Sequence, residues 1–228
     1  MEKAVAVLIA AHFLGDFLFQ TDWLVDRKKR LPFMFVHCLI HAVLVYVMYQ
    51  EWANWQLPVA ILFLHMTIDK VKQAWTSDTA ASFAWDQAAH ILGLIGVGWL
   101  FLNMGWQPPF RGFGYVWLIG FAGFIATVRG SGYFIGRVAE WIKKKNSLEI
   151  DGLENGGAMI GEMERALIFL LIFIGQPAGI GFLVAAKSIL RFEEAKKQKL
   201  AEYVLIGTLL SFSLAIAIAT ATRFVMKL

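Results

Sequence analysis

Charge is scarce in this chain. Only 17% of its 228 residues are Asp, Glu, Lys or Arg, against about 25% in an ordinary soluble domain, and 58% are hydrophobic. A water-soluble enzyme is excluded as the starting expectation. Cysteine is scarcer still. The single Cys38, inside an apolar segment, rules out a disulfide framework and any cysteine-rich metal site, and packing is its expected role. No Gly-x-Ser-x-Gly elbow occurs, which argues against an ordinary serine hydrolase. The glycines between Gly152 and Gly161 precede a helix start but lack the Gly-Lys-Ser/Thr ending of a phosphate loop. Neither an internal repeat nor a low-complexity tract is visible.

Apolar stretches of bilayer-crossing length recur from end to end, separated by polar punctuation too short for a soluble domain. The expected fold is all-α: a polytopic membrane protein of about eight transmembrane helices, forming one transmembrane domain over 1–228. Within it, 1–104 carry the His and Asp residues and 105–228 carry basic and acidic clusters. The spans fall at about 3–25, 33–50, 56–74, 84–104, 113–141, 162–175, 178–192 and 201–224. The first contains Asp16 and Gln20 and no small-residue cleavage site follows it, so it reads as a helix and not a removable signal. The sixth and seventh are short and broken at Gln176 and Pro177, which suits either a helical hairpin or a re-entrant pair.

The formal charge of +4 does not indicate a nucleic-acid partner, because the basic residues lie in short runs between spans. Arg27 to Arg30, Lys70 and Lys72, Arg137 with Lys143 to Lys145, and Arg191 with Lys196, Lys197 and Lys199 fall at alternate connections. The positive-inside rule then puts both termini outside the cytoplasm. Trp52, Trp55, Trp106 and Trp117 flank the opposite ends, where interfacial aromatics belong.

The five histidines carry the strongest chemical signal. Each stands four residues from another histidine or an aspartate: His12 with Asp16, His37 with His41, His65 with Asp69, and Asp86 with His90. Chance gives any one histidine such a partner with a probability of about 0.1. Four residues is close to one helical turn, so each pair projects from one helix face and can chelate an ion. The expected topology puts the pairs at similar depth near the cytoplasmic face. Ionisable groups inside a span are costly and mark function, and a cluster of them needs a cation or mutual pairing. Eight N and O ligands exceed the needs of one ion, so a pair of ions, or one ion with proton-shuttling neighbours, is expected. Zinc suits mixed His and carboxylate ligation, as do manganese and iron. A metal-free proton relay and structural interhelical hydrogen bonds are the alternatives.

The opening H-F-L-G-D-F-L-F-Q at His12 to Gln20 resembles the signature of an uncharacterised bacterial membrane-protein family, a domain of unknown function. H-x-x-x-D-x-x-K at His65 to Lys72, D-Q-x-x-H at Asp86 to His90 and G-x-x-I-G-E-M-E-R at Gly157 to Arg165 resemble later blocks of it. That resemblance implies a fold and no established reaction. The ligand logic is also similar to that of membrane-bound metal-dependent hydrolases and ceramidase-like zinc hydrolases, whose spacings are not reproduced here.

Two functions are expected from these residues. As a metal-dependent hydrolase, the protein would act on a lipid or another membrane-held substrate, with Asp86 or Asp69 as general base. Arg165, Lys187, Arg191, Glu164, Arg129 and Gln20 are the candidate substrate-binding residues, the basic ones for an anionic headgroup. Arg129, mid-span beside Gly130, needs a carboxylate, carbonyls or a water-filled cavity. As a divalent-ion or proton-coupled transporter, the protein would use the same His and Asp residues as a transit site.

Overall fold

The computed structural model describes residues 2–50, 52–75, 77–106, 113–148, 155–190 and 198–227. Every regular element among them is helical. In chain order they are α1 (Glu2–Leu14), a π-turn (Gly15–Phe19), α2 (Asp22–Arg27), α3 (Leu31–Tyr49), α4 (Gln56–Trp75), α5 (Ala80–Asn103), α6 (Phe113–Ile125), a second π-turn (Ala126–Gly130), α7 (Ser131–Asn146), α8 (Gly156–Phe173), α9 (Ala178–Leu190) and α10 (Gln198–Val225). The chain forms two compact units, Met1–Ile125 with Phe224–Leu228, and Ala126–Arg223.

In the first unit α1 is the central helix, packed against α3, α5 and α6. Its buried residues, Ala4, Val7, Leu8, Ala10, Ala11, His12 and Leu14, leave little of its circumference to the outside, as expected of a helix surrounded by others. Helix α3 begins with Pro32 in its first turn, where a missing N–H costs nothing. It ends at Gln50 in the left-handed conformation (φ 56°), whose N–H returns to the Tyr46 carbonyl. The Thr79 hydroxyl caps α5 by accepting from the Ser82 N–H at 3.1 Å.

The faces of α3 reverse the pattern of a soluble protein. Inward it sets Met34, His37, Cys38, His41, Ala42 and Val45; outward it presents Phe35, Val36, Leu39, Val43 and Val47. Apolar residues outside and imidazoles inside fit a hydrocarbon solvent. Trp52, Trp55 and Trp117 are exposed, and Cys38 is a fully buried packing residue.

Among the described residues four helices are long and apolar enough to cross a membrane: Leu31–Tyr49, Ala80–Asn103, Gly114–Asn146 and Gln198–Val225. The other segments of the eight-span expectation differ for identifiable reasons. The first is broken into α1, the π-turn and α2. Helix α4 carries Asp69, Lys70 and Lys72, and α8 carries Glu162, Glu164 and Arg165. Helix α9 has only 13 residues.

In the second unit α8 and α9 form a hairpin. Gly175 adopts φ +75°, and the Gln176 N–H donates to the Leu171 carbonyl at 2.8 Å, closing α8 as a left-handed C-terminal glycine does. Glu164 and Lys187 stand equally far from that turn and pair across the hairpin at 2.7 Å.

Candidate metal centre

All four His/Asp pairs converge inside the first unit. His12 comes from α1, Asp16 from the π-turn, His37 and His41 from α3, His65 and Asp69 from α4, and Asp86 and His90 from α5. Ring centroids of His41 and His65 are 3.7 Å apart, those of His65 and His90 4.2 Å, and those of His12 and His90 4.8 Å. The five histidines, Asp69 and Asp86 are buried, and the Asp16 side chain is 9% exposed.

Asp16 is the hub. Its Oδ1 lies 3.2 Å from His41 Nε2, 3.4 Å from His37 Nε2 and 3.6 Å from His65 Nε2, and its Oδ2 lies 3.6 Å from His12 Nε2. Two local features aim it there. The π-turn, a form frequent at functional sites, carries the carboxylate out of the α-helical register. Gly15 supplies the room, since a Cβ at that position would overlap the His41 imidazole.

Hydrogen bonds to the backbone decide the tautomers. His41 Nδ1 lies 3.0 Å from the His37 carbonyl and His90 Nδ1 2.9 Å from the Asp86 carbonyl. A carbonyl only accepts, so each Nδ1 carries the proton, and in the neutral ring each Nε2 carries a bare lone pair. Both Nε2 atoms are buried without a hydrogen-bond partner, as are His12 Nδ1, His37 Nδ1, Asp16 Oδ1 and Asp86 Oδ1. Polar atoms left so inside a protein cost about 1–3 kcal/mol each, and a cation is one group that this many together could hold. Their spacing agrees. Ligands bound tetrahedrally at about 2.1 Å stand about 3.4 Å apart, whereas a charge-assisted N–H···O bond spans about 2.8 Å. The imidazole–carboxylate separations of 3.2–3.6 Å match the first distance.

Among the described residues three overlapping donor sets result: His12, Asp16, His41 and His65; His37, His65 and Asp69; and Asp69, Asp86 and His90. Such sets of N and O donors suit a divalent ion such as zinc, manganese or iron.

Three further residues belong to the centre. Gln87 donates from Nε2 to Asp16 Oδ2 at 3.0 Å, which orients its Oε1 toward His12 Nε2, 3.2 Å away. Lys28 Nζ sits 2.6 Å from Asp69 Oδ2 in an ion pair, and Lys72 Nζ sits 2.8 Å from Asp86 Oδ2. Burial disfavours the Lys28 charge, but Asp69 and, behind it, Asp16 and Asp86 outweigh that cost and hold the ammonium above its ordinary pKa. Gln87 and Lys72 stand inside the sequence blocks D-Q-x-x-H and H-x-x-x-D-x-x-K, which was the available signal. Lys28 lies in the basic run read as a topology marker.

Of the expected substrate-binding residues, Gln20 lies in the first unit and Arg129, Glu164, Arg165 and Lys187 lie in the second. Arg165, 4% exposed, donates from Nε and Nη2 to the Val128 carbonyl in the second π-turn, at 3.0 and 2.8 Å, and from Nη1 to Ser211 Oγ at 3.4 Å. Gly132 and Gly161 flank the guanidinium, which a Cβ at either position would meet within 2.9 Å. Glu164 and Lys187 pair with each other. Arg129 is exposed on the second π-turn and Gln20 is half-buried just after the first. Arg191 lies outside the described residues.

Residues 4–109 match the family model described as protein of unknown function (DUF3307). The DUF3307 stretch contains every histidine, the three clustered aspartates, Gln87, Lys28 and Lys72. It stops short of the G-x-x-I-G-E-M-E-R block at Gly157 to Arg165, so the resemblance extends over the N-terminal part of the chain. No curated protein and no solved structure matches the chain.

Proposed function

We propose that the protein is a membrane-embedded, metal-dependent hydrolase whose His/Asp centre acts on a lipid or another membrane-held molecule. The observation that carries the metal reading is the bare His41 Nε2 facing Asp16 Oδ1 at 3.2 Å. A single proton on His41 would satisfy that contact and leave His12 Nδ1 and His90 Nε2 without partners, which favours metal over a metal-free relay. Zinc is the ion we assign, on the mixed imidazole and carboxylate donors.

A bound divalent ion lowers the pKa of a water and polarises a scissile group. The residues supply the rest. Asp86 holds Lys72 through Oδ2 and leaves Oδ1 without a hydrogen bond, 3.6 Å from His90 Nδ1, an oxygen able to serve as a general base; Asp69 is the alternative base. Gln87 fixes the Asp16 carboxylate, and His41 and His90 are held by their own backbone turns, as second-layer hydrogen bonds orient metal ligands. The anion-holding role expected for Arg165 and Lys187 is not required by this reading, because both have partners within their own unit. We place the protein in a bacterial inner membrane as a multi-pass chain with both termini outside the cytoplasm, on the charge asymmetry of the connections.

One observation favours a second reading, divalent-ion transport. Lys28 and Lys72 sit on two of the three carboxylates, and resident ammonium groups that exchange with a metal suit a site that must release its ion. Incubation with a total lipid extract plus zinc or manganese, followed by mass spectrometry, is set beside ion flux in sealed liposomes. New lipid products dependent on Asp86 support the hydrolase. Ion flux with an unchanged lipid profile overturns it.

A further inference from the structure

The donor sets differ in a way that bears on how many ions the centre holds. His12, Asp16, His41 and His65 share no residue with Asp69, Asp86 and His90. The remaining set, His37, His65 and Asp69, takes one member from each. If the first two sets are filled, His37 is left as a spare ligand and no third ion has a complete set among the described residues. The two full sets adjoin, with the His90 ring 4.2 Å from that of His65 and 4.8 Å from that of His12.

Their electrostatics are unequal. Among the described residues no ammonium lies within ion-pair distance of Asp16, whose Oδ2 is held by the neutral Gln87 amide. In the other set both carboxylates are already neutralised, Asp69 by Lys28 at 2.6 Å and Asp86 by Lys72 at 2.8 Å. With the imidazoles neutral, three carboxylates against two ammonium groups leave one net negative charge in the cluster. A first divalent ion reverses that charge. A second enters against it unless a lysine withdraws, and the side chains of Lys28 and Lys72 are 15% and 30% exposed, the most accessible parts of their ion pairs.

We infer that the centre holds two divalent ions of unequal affinity, a firmly bound one in the His12, Asp16, His41 and His65 set and an exchangeable one in the Asp69, Asp86 and His90 set, whose occupancy Lys28 and Lys72 oppose. This rests on the metal reading proposed above. The four-donor set is closed, as in sites that hold metal for structure; the three-donor set leaves a coordination position for water or substrate. The exchangeable ion is therefore the one that meets the substrate, and Lys28 and Lys72 are positioning residues that set its occupancy.

The test uses the full chain, purified in detergent and stripped of metal, titrated with zinc alone by calorimetry and by equilibrium dialysis with elemental analysis. Wild type binds two ions per chain, the second at least about tenfold more weakly. His90→Ala loses the weaker ion and keeps the tighter; His12→Ala weakens the tighter. Lys72→Met tightens the weaker site by about tenfold and leaves the tighter unchanged, because the carboxylate no longer has an ammonium to surrender. This gain of affinity, read beside a monodisperse elution profile, cannot come from misfolding. A single ion lost equally in His12→Ala and His90→Ala overturns the two-site inference while the metal reading stands. Two ions with no change of either affinity in Lys72→Met and Lys28→Met overturn the role of the lysines. No zinc bound at all overturns both the inference and the metal reading.

Discussion

Asp16 Oδ1 and His41 Nε2 face each other at 3.2 Å as two acceptors, because the His41 proton is committed to the His37 carbonyl through Nδ1. A cation that joined them would hold the first π-turn to α3. Asp16→Asn puts an amide against that lone pair, and its N–H can donate to His41 directly. The variant is expected to retain its fold and to lose at least about tenfold in zinc affinity, measured by equilibrium dialysis. Unchanged affinity would remove Asp16 from the ligand set.

Gly15→Ala tests the same approach sterically. The new Cβ overlaps the His41 ring, and overpacking a fitted interior costs about 1–3 kcal/mol. Zinc content should fall, with thermal stability in detergent reduced. Gly96→Ala is the control, since a Cβ there meets nothing within 4 Å, and it should leave both unchanged.

Metal should stabilise the first unit by linkage. With free zinc at about 100 times its dissociation constant the gain is about 2.7 kcal/mol, read as a rise in melting temperature that a chelator reverses. Lys28→Met leaves Asp69 without its ammonium, so the metal-free protein should melt earlier and the zinc-induced rise should be larger than in wild type. An equal rise in both proteins would show that Lys28 and zinc do not compete.

For the reaction itself, Asp86→Asn is expected to abolish turnover of the membrane substrate while the tighter ion stays bound, because the imidazoles and Asp16 are untouched. Elemental analysis of the same preparation separates the two effects. Full activity in this variant would exclude Asp86 as the base.

Arg165 gives a prediction of a different kind. Arg165→Ala strips the Val128 carbonyl of two donors, and charged hydrogen bonds contribute about 1.5–3 kcal/mol. A loss of that order is expected in thermal stability, with zinc content unchanged. Arg165→Lys should not restore it, since an ammonium lacks the planar fork that lets Nε and Nη2 reach one oxygen.

The histidine centre was legible because helical geometry turns a four-residue spacing into a shared face, and His12, His41, His65 and His90 obey that geometry whatever their neighbours do. Gln87 and Lys72 lay in view within recognisable blocks, but a glutamine on a helix and a lysine near a span end have ordinary explanations. Lys28 was harder. A lysine that snorkels to the interface and one that folds back onto a buried aspartate look alike until the depth of Asp69 is known. The π-turns left no local mark, since Gly15–Phe19 and Ala126–Gly130 contain nothing that an α-helix would refuse. For that reason the Val128 carbonyl could not be foreseen as the partner of Arg165, nor the break before Asp22 that divides an expected single span.

A π-turn takes up one residue more than the α-turn it replaces, which makes chain length, and not side-chain identity, the variable to which Gly15–Phe19 is most sensitive. Removing one residue there would preserve every ligand and almost all of the hydropathy, yet rotate α1 by about 100° about the helix axis relative to α2 and α3. Homologous chains able to build this centre should therefore align through Gly15–Phe19 without gaps, even where the residues themselves are exchanged.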